Sequence, residues 1–373
     1  MIKYCLVFLF FCGLYVPLKA QSDFSDSIRL NDIRFVASHN SYKKRPDPKV
    51  LGFLTKFKKR LGEDMDPKRM DYGHLTLTEQ FTDYHVRGIE LDVYYDPKGG
   101  KFRKRRLNFF IAGLKQRAKD SVLRQPGFKL LHIADIDYET HYLTFTDALR
   151  EIKTWSDAHP DHTPLFINIE PKGDSPGDYS SFLRFIGFRK ALKFDSCAYD
   201  ALDEEIWSIF TDKQQVLRPA DLKGTYTTIG ERLRSERWPL LNECLGKVIF
   251  IVDGDRVGRY QAFLEKGEDR PMFVYSEPDS ETTAFVKRND PIGQEEAIKV
   301  LSELYIVRTR TDVETIQARN NDYRMFNSAI ESQAQILSTD FYKADERFST
   351  FQVSLENLKN GLEQTFILRR TGH

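Results

Sequence analysis

The 373-residue sequence lacks the features of several protein classes. It has only four cysteines and no Cys-x-x-Cys pair, which excludes a disulfide-dense scaffold and a ribbon-type structural zinc site. It also lacks an excess of charge of one sign, because 56 Lys and Arg face 55 Asp and Glu for a formal net charge of +1. We therefore do not expect a nucleic-acid binder that works through bulk positive charge, or an acidic solvating protein.

The long apolar run of this sequence lies at its N terminus. Lys3 precedes an apolar segment over Tyr4–Tyr15, and the small residue Ala20 follows it. This order is typical of a secretory signal peptide, and the segment is short for a membrane-spanning helix. We therefore expect residues 1–20 to be a signal peptide, residues 21–373 to form one domain, and the protein to be exported to the periplasm or the extracellular space. An uncleaved N-terminal anchor is the alternative.

Cleavage after Ala20 would leave two cysteines, Cys197 and Cys244. In an oxidising compartment they could form a disulfide, provided that they lie within bonding distance. Two free thiols fit the sequence equally well.

Hydrophobic residues make up 40% of the chain and aromatic residues 13%, which is enough for a large core. Short apolar runs rich in β-branched residues alternate with segments of helical periodicity, among them Thr144–Ala158, Asp200–Phe210 and Gln294–Leu304. The eight runs are Ile33–His39, Gly88–Tyr94, Phe128–Ile133, Pro164–Glu170, Lys247–Asp253, Met272–Ser276, Tyr305–Arg310 and Gln335–Asp340. This alternation predicts an α/β fold, a (β/α)8 TIM-type barrel, as a single domain with long loops after strands 1, 2 and 4. An open doubly wound sheet is the alternative, but no glycine-rich phosphate-binding motif follows the first run.

Polar residues cluster at the carboxyl ends of the first four runs, where barrel enzymes place their reactive groups. In the second run Glu90 and Asp92 are two residues apart, so both side chains point to the same face. Two carboxylates that face the barrel interior are costly unless a cation compensates them. The strand-end set is His39, Asn40, Glu90, Asp92, His132 and Glu170.

The oxygen-bearing members of this set predict a metal site. They are Asn40, Glu90, Asp92 and Glu170. Hard oxygen ligands with three negative charges suit Ca²⁺ or Mg²⁺ rather than zinc or copper. The two histidines remain free of the metal to transfer protons, which is an arrangement that cleaves phosphodiesters. As an alternative, the two carboxylates of the second run could pair with Arg87 or Lys172 and bind no metal.

At these positions the sequence resembles the bacterial calcium-dependent phosphoinositide phospholipase C family. The matching segments are SHNSY at 38–42, RGIELDVYYD at 87–96, LLHIADID at 130–137, PLFINIEPK at 164–172, VIFIVDGD at 248–255, IVRTRTD at 306–312 and AQILSTDF at 334–341. The resemblance implies a TIM barrel, Ca²⁺ held by the four oxygen ligands, and an inositol phosphodiester lipid as the substrate.

The resemblance also implies a mechanism. The inositol 2-hydroxyl would attack its own phosphodiester to form a cyclic phosphate, while diacylglycerol leaves. His39 and His132 would be the catalytic pair, with His39 stabilising the phosphorane and His132 protonating the departing oxygen. Lys172 and one of Arg308 or Arg310 are candidates for binding the phosphate or the ring hydroxyls.

A basic insertion separates Asp92 from His132. It contains Lys101, the run Arg103–Arg106 and the apolar segment Phe109–Ile111. The loop could make peripheral contact with an anionic membrane, or it could be a solvated loop whose apolar part packs on the barrel. We expect no nucleic-acid partner, and the sequence implies no obligate protein partner.

Two other functions compete with this interpretation. A glycerophosphodiester phosphodiesterase would share the barrel and the Glu-x-Asp pair, but such enzymes usually have His-Arg-Gly where this chain has His39-Asn40-Ser41. A metal-dependent binder of inositol or sugar phosphates would bind without turnover. The presence of both histidines argues against such a binder.

Overall fold

The computed structural model describes residues 28–61, 66–179, 181–254, 257–355 and 366–367. The expected signal peptide at residues 1–20 lies outside the described residues. Cys197 is exposed and Cys244 is buried, and both are free thiols. Among the described helices, none is both long enough and apolar enough to cross a membrane.

The described chain contains ten strands and thirteen α-helices. The strands are β1 Ile33–Ser38, β2 Gly88–Tyr94, β3 Lys129–Leu130, β4 Leu165–Pro171, β5 Val248–Val252, β6 Met272–Val274, β7 Phe285–Lys287, β8 Ile306–Arg310, β9 Ile336–Thr339 and β10 Phe366–Ile367. The helices are α1 Pro48–Leu61, α2 Pro67–Met70, α3 Leu77–Asp83, α4 Phe145–Ala158, α5 Pro176–Tyr179, α6 Ser181–Phe185, α7 Ser196–Ile209, α8 Pro219–Lys223, α9 Ile229–Glu236, α10 Gly258–Glu265, α11 Glu295–Leu304, α12 Ile316–Asn320 and α13 Arg324–Glu331.

Eight parallel strands form a nearly closed barrel in the order β6-β5-β4-β2-β1-β9-β8-β7. A single parallel bridge between Tyr275 and Phe285 joins the two ends of this order. The (β/α)8 barrel predicted from the sequence is therefore confirmed. Its carboxyl ends carry long insertions after β1, β2 and β4, as expected.

One of the eight predicted barrel strands is wrong. The run Phe128–Ile133 yields only β3, which pairs antiparallel with β2 and lies outside the barrel order. The chain turns after Leu130, because Asp135 takes a φ of 70° and Ile133 forms a bridge with Asp137. The eighth barrel strand is instead β7, which pairs parallel with β8.

The alternation of side chains along β2 separates the core from the site. Ile89, Leu91 and Val93 pack in the apolar layer that the barrel shares with α3, α4 and α7. Glu90 and Asp92 point the other way, into the barrel, and both are buried. Each predicted helix is present within a few residues; in α4, for example, Thr144 Oγ1 caps the helix by accepting from the Asp147 amide at 3.2 Å.

Candidate active site

The predicted oxygen ligands meet at the carboxyl ends of β1, β2 and β4. Asn40 turns the chain after β1 with a φ of 52°, a left-handed conformation that asparagine tolerates well. In the register of β2 with β4, Asp92 lies opposite Glu170. Oxygen atoms from Glu90, Asp92 and Glu170 lie within 4.8 Å of one another. The structure therefore brings together carboxylates of β2 and β4, which the sequence analysis placed in two separate runs.

Lys172 lies inside this acidic cluster. Its Nζ is 2.9 Å from Asp92 Oδ2 and 2.8 Å from Glu170 Oε1. Burial alone would lower the pKa of Lys172, but the two carboxylates raise it well above the usual value. Burial, together with the charges of Glu170 and Glu90, still raises the pKa of Asp92. The ammonium group of Lys172 thus does not fully compensate Asp92 and the partly exposed Glu170, and the three carboxylates form a cluster that could hold a metal ion.

One buried acceptor at this position, Glu90 Oε1, is unsatisfied within the described chain, and the Asn40 amide offers a second oxygen in one of its two orientations. The Asn40 amide nitrogen donates to Tyr72 Oη at 2.8 Å, which leaves the amide oxygen facing the Asp92 carboxylate at 3.2 Å. Such acceptors repel each other unless a cation lies between them or the amide turns over to donate to Asp92. Glu90 Oε1 is buried and accepts no hydrogen bond from the described residues. Carboxylate and amide oxygens are the donors that Ca²⁺ prefers.

His39 is held between two carboxylates. Its Nδ1 lies 2.7 Å from Asp340 Oδ1, and its Nε2 lies 3.2 Å from Glu90 Oε1. The side chain is 22% exposed, so the ring can reach a molecule at the mouth of the barrel. The charges of Arg310 and His39 outweigh the effect of burial and hold the pKa of Asp340 below its usual range. A buried, ionised Asp340 fixes both the orientation of the ring and the tautomer that carries a proton on Nδ1.

His132 has a similar partner. Its Nδ1 lies 2.8 Å from Asp137 Oδ2, and the same oxygen lies 3.2 Å from Lys43 Nζ. Burial would raise the pKa of Asp137, but Lys43 and His132 lower it. His132 is 20% exposed, and its Nε2 has no hydrogen-bond partner in the part of the chain that the structure describes. The free nitrogen is therefore available to exchange a proton with a bound molecule.

Arg308 and Arg310 are buried and engaged by carboxylates. Arg308 Nη2 donates to Glu90 Oε2 at 2.6 Å, and Arg310 Nη2 donates to Asp340 Oδ2 at 2.9 Å. Glu90 Oε2 also accepts from Asn168 Nδ2 at 2.9 Å. The charges of His39, Arg308 and Arg310 overcome the effect of burial and lower the pKa of Glu90 to about 2. The geometry thus favours a positioning role for both arginines.

Sequence reasoning did not assign several residues that the structure places in the site. They are Tyr72, Lys43, Asp137, Asn168 and Asp340. Asp340 ends the last predicted strand, so the rule that reactive groups occupy strand ends could have identified it. The partner of His132 lies in the same LLHIADID segment as the histidine, but its role depends on the turn at Asp135.

The chain is similar in sequence and in fold to known proteins. The family described as "Phosphoinositide phospholipase C, Ca2+-dependent" matches residues 28–361. A calcium-dependent phosphoinositol-specific phospholipase C from a Gram-negative bacterium, Pseudomonas sp, has a similar fold, with a TM-score of 0.50 and 15% identity over 88% of this chain and 94% of that chain. A Ca²⁺-dependent phosphatidylinositol-specific phospholipase C from Streptomyces antibioticus gives a TM-score of 0.50 and 14% identity over 85% and 96%. No curated protein matches the chain.

At such identities the solved structures support the fold, while the family match extends over most of the sequence. The matched range, residues 28–361, includes every strand-end residue of the site described above. The chain belongs to the Ca²⁺-dependent phosphoinositide phospholipase C family.

Proposed function

We propose that the protein cleaves inositol phosphodiester lipids of the phosphatidylinositol type to diacylglycerol and an inositol cyclic phosphate. The observation that carries this proposal is a pair of histidines, each oriented through Nδ1 by a buried aspartate, next to a cluster of three carboxylates. Membership of the family supports the choice of reaction.

The metal site of this proposal consists of Asn40, Glu90, Asp92 and Glu170. Bound Ca²⁺ would lower the pKa of the attacking hydroxyl and neutralise charge on the phosphate. Lys172, which already lies among these carboxylates, would remain close enough to interact with a phosphate oxygen.

The two histidines divide the proton chemistry. The inositol 2-hydroxyl oxygen forms a bond to phosphorus, and a carboxylate of the cluster accepts the hydroxyl proton. His39, with both ring nitrogens protonated, donates a hydrogen bond from Nε2 to the developing phosphorane. His132 transfers a proton from Nε2 to the glycerol oxygen as its bond to phosphorus breaks. Arg308 and Arg310 act indirectly, by fixing Glu90 and Asp340.

The identity of the product tests this proposal. Purified protein is incubated with phosphatidylinositol and Ca²⁺, and the soluble products are followed by phosphorus NMR. We expect the inositol cyclic phosphate as the first product and no turnover of the matched 2-O-methyl inositol lipid, which lacks the nucleophile. Cleavage of both lipids would exclude attack by the 2-hydroxyl. Cleavage of glycerophosphoinositol in place of the lipid would identify a glycerophosphodiester phosphodiesterase.

We also propose that the protein acts outside the cytoplasm, because residues 1–20 have the pattern of a cleaved signal peptide. N-terminal sequencing of the protein expressed with its full leader should give Gln21 as the first residue. A protein that retains Met1 would support the uncleaved anchor.

A further inference from the structure

Positive charge is concentrated in two insertions at the carboxyl end of the barrel. Residues 101–119 contain eight Lys or Arg and no Asp or Glu, and residues 183–193 contain four Lys or Arg and again no acidic residue. These 12 belong to the chain's 56 basic residues, so the remaining sequence holds 44 against all 55 Asp and Glu. A chain with almost no net charge thus concentrates its positive charge in two loops.

Many of these cations have no acidic partner among the described residues. Lys104, Lys115, Arg117 and Lys119 are exposed, and none forms an ion pair with a described acidic side chain. Arg105 contacts Glu139 at 3.3 Å, and Lys190 lies 3.9 Å from Asp178. The surface therefore keeps a net positive charge that solvent or a partner must compensate.

Large aromatic side chains project from the same two insertions. Phe109 is 54% exposed, Phe110 is 42% exposed and Phe185 is 87% exposed. Leu107 and Phe188, in the same insertions, are buried in a small apolar cluster together with α1. The insertions are thus anchored by buried side chains, while their phenylalanines remain in contact with water. The alternative in which the apolar part of the first loop packs on the barrel does not hold for Phe109 and Phe110.

The two insertions contact each other directly. The guanidinium group of Arg106 lies 4.6 Å from the centre of the Phe109 ring and 5.3 Å from that of Phe110. Its Nε donates to the carbonyl oxygen of Ile186 in the other insertion. The aromatic and cationic groups therefore form one continuous surface, which we call the rim surface and define as residues 101–119 and 183–193.

Asp135 connects the rim surface to the candidate active site. Its carboxylate accepts from the backbone amide of Arg106 at 3.1 Å and from that of Arg189 at 2.9 Å. Asp135 lies between His132 and its partner Asp137 in the same turn. A ligand bound at the rim surface would therefore lie at a fixed position relative to His132.

We propose that the rim surface docks on an anionic lipid bilayer, with Phe109, Phe110 and Phe185 in the interfacial region and the basic side chains at the headgroups. Aromatic rings partition into the membrane interface, and each Lys or Arg near an anionic surface adds about 1 kcal/mol. A nucleic acid would compensate the same charge, but the charge occupies one edge of a catalytic barrel whose proposed substrate is a lipid. This inference rests on the proposed function for the nature of the substrate.

Vesicle binding without turnover tests the proposal. The full chain is sedimented in a calcium chelator with vesicles of phosphatidylcholine alone, and with vesicles that also contain phosphatidylserine, so that no inositol lipid is present. Two variants are compared with wild type: Phe109→Ala/Phe110→Ala/Phe185→Ala, and Lys104→Ala/Lys115→Ala/Arg117→Ala/Lys119→Ala. The matched control is Val300→Ala/Ile316→Ala, which removes similarly exposed apolar side chains from α11 and α12.

We expect wild type to prefer the anionic vesicles, and each rim variant to lower that partition coefficient about tenfold or more, while the control changes little. Added salt should weaken binding. Equal binding to both vesicles, or rim variants that bind like wild type, would overturn the proposal. Turnover of a soluble short-chain phosphatidylinositol is measured in parallel. Rim-dependent vesicle binding by a chain without this turnover would leave the docking proposal standing and contradict the proposed function.

Discussion

The Nδ1 atom of His39 lies 2.7 Å from Oδ1 of Asp340, although the two residues are separated by almost the whole barrel sequence. The neighbouring positions of β1 and β9 in the barrel bring them together, with Ser38 opposite Thr339. Arg310 donates to the second carboxylate oxygen of Asp340 at 2.9 Å. The result is a chain of contacts from the buried Arg310 and Asp340 to the partly exposed His39, which directs the other ring nitrogen towards the acidic cluster.

Replacing Asp340 by Asn should lower kcat about 10²- to 10⁴-fold, because the neutral amide neither fixes the tautomer of His39 nor stabilises its protonated form. KM should change little, since Asp340 does not touch the substrate in this account. Steady-state kinetics over a range of pH provides the measurement. Asp345→Asn is the control, because Asp345 pairs with Arg347 in the same loop but makes no contact with His39. A kcat close to wild type for Asp340→Asn would contradict a role of Asp340 in orienting His39.

The loss of activity should depend on the leaving group for a substitution of His132, but not for a substitution of His39. His132→Ala should lose most activity on phosphatidylinositol, but much less on an inositol phosphodiester with an acidic aryl alcohol, because that leaving group departs without a proton. His39→Ala should lose activity on both substrates. His159→Ala is the control, since His159 lies on the outside of the barrel and stacks on Trp155. Equal losses of His132→Ala on the two substrates would contradict its role as general acid.

Calcium binding should depend on Asp92 in the absence of any substrate. Asp92→Asn removes one negative charge and one oxygen donor, so we expect the Ca²⁺ affinity measured by calorimetry to fall about tenfold or more. Ca²⁺ should also raise the Tm of wild type more than that of the variant, because a ligand that binds only the folded state stabilises it. Asp253→Asn is the matched control, as Asp253 is a buried strand-end aspartate outside the cluster. An unchanged calcium titration would exclude Asp92 from the ligand set.

Glu205 should make stability depend on pH. Burial raises the pKa of its carboxyl to about 7, while hydrogen bonding from the Phe128 amide at 2.9 Å opposes this rise only partly. The folded-state pKa lies above that of an unfolded glutamate, so this carboxyl costs no stability at low pH and destabilises the fold increasingly as the pH rises to about 7.

Glu205→Gln imitates the neutral carboxyl and should remove this dependence. Urea unfolding of both proteins at about pH 5 and about pH 8 should show the variant gaining stability relative to wild type at the higher pH. If the free energy of unfolding differs between Glu205→Gln and wild type by the same amount at both pH values, the Glu205 carboxyl titrates as an ordinary glutamate. Glu204→Gln, an exposed neighbour on α7, serves as the control.

The sequence was most informative where strands are long and fully buried. The run Gly88–Tyr94 coincides with β2, because its alternation of apolar and acidic residues reflects two faces that are both inside the protein. The barrel strand β7 was missed; it has only three residues, Phe285–Lys287. The apolar run at Phe128–Ile133 was misinterpreted because composition alone does not reveal the turn after Leu130.

The same limit applies to the site. The strand rule predicted which ligands lie close together, since the pairing of Asp92 with Glu170 follows from the register of neighbouring strands. Which cation pairs with which carboxylate depends on side chains that cross the barrel, and no local pattern encodes this. Arg308 was therefore one of two arginine candidates for the substrate, and its hydrogen bond to Glu90 was not foreseen.

The most direct test of the central claim measures the release of water-soluble inositol phosphate from phosphatidylinositol vesicles by the purified protein, first with Ca²⁺ and then with a chelator. The account predicts an inositol cyclic phosphate that appears with Ca²⁺, disappears with the chelator and is absent for His39→Ala. Release that is unaffected by the chelator and by this substitution would contradict it, as would the absence of release under all conditions.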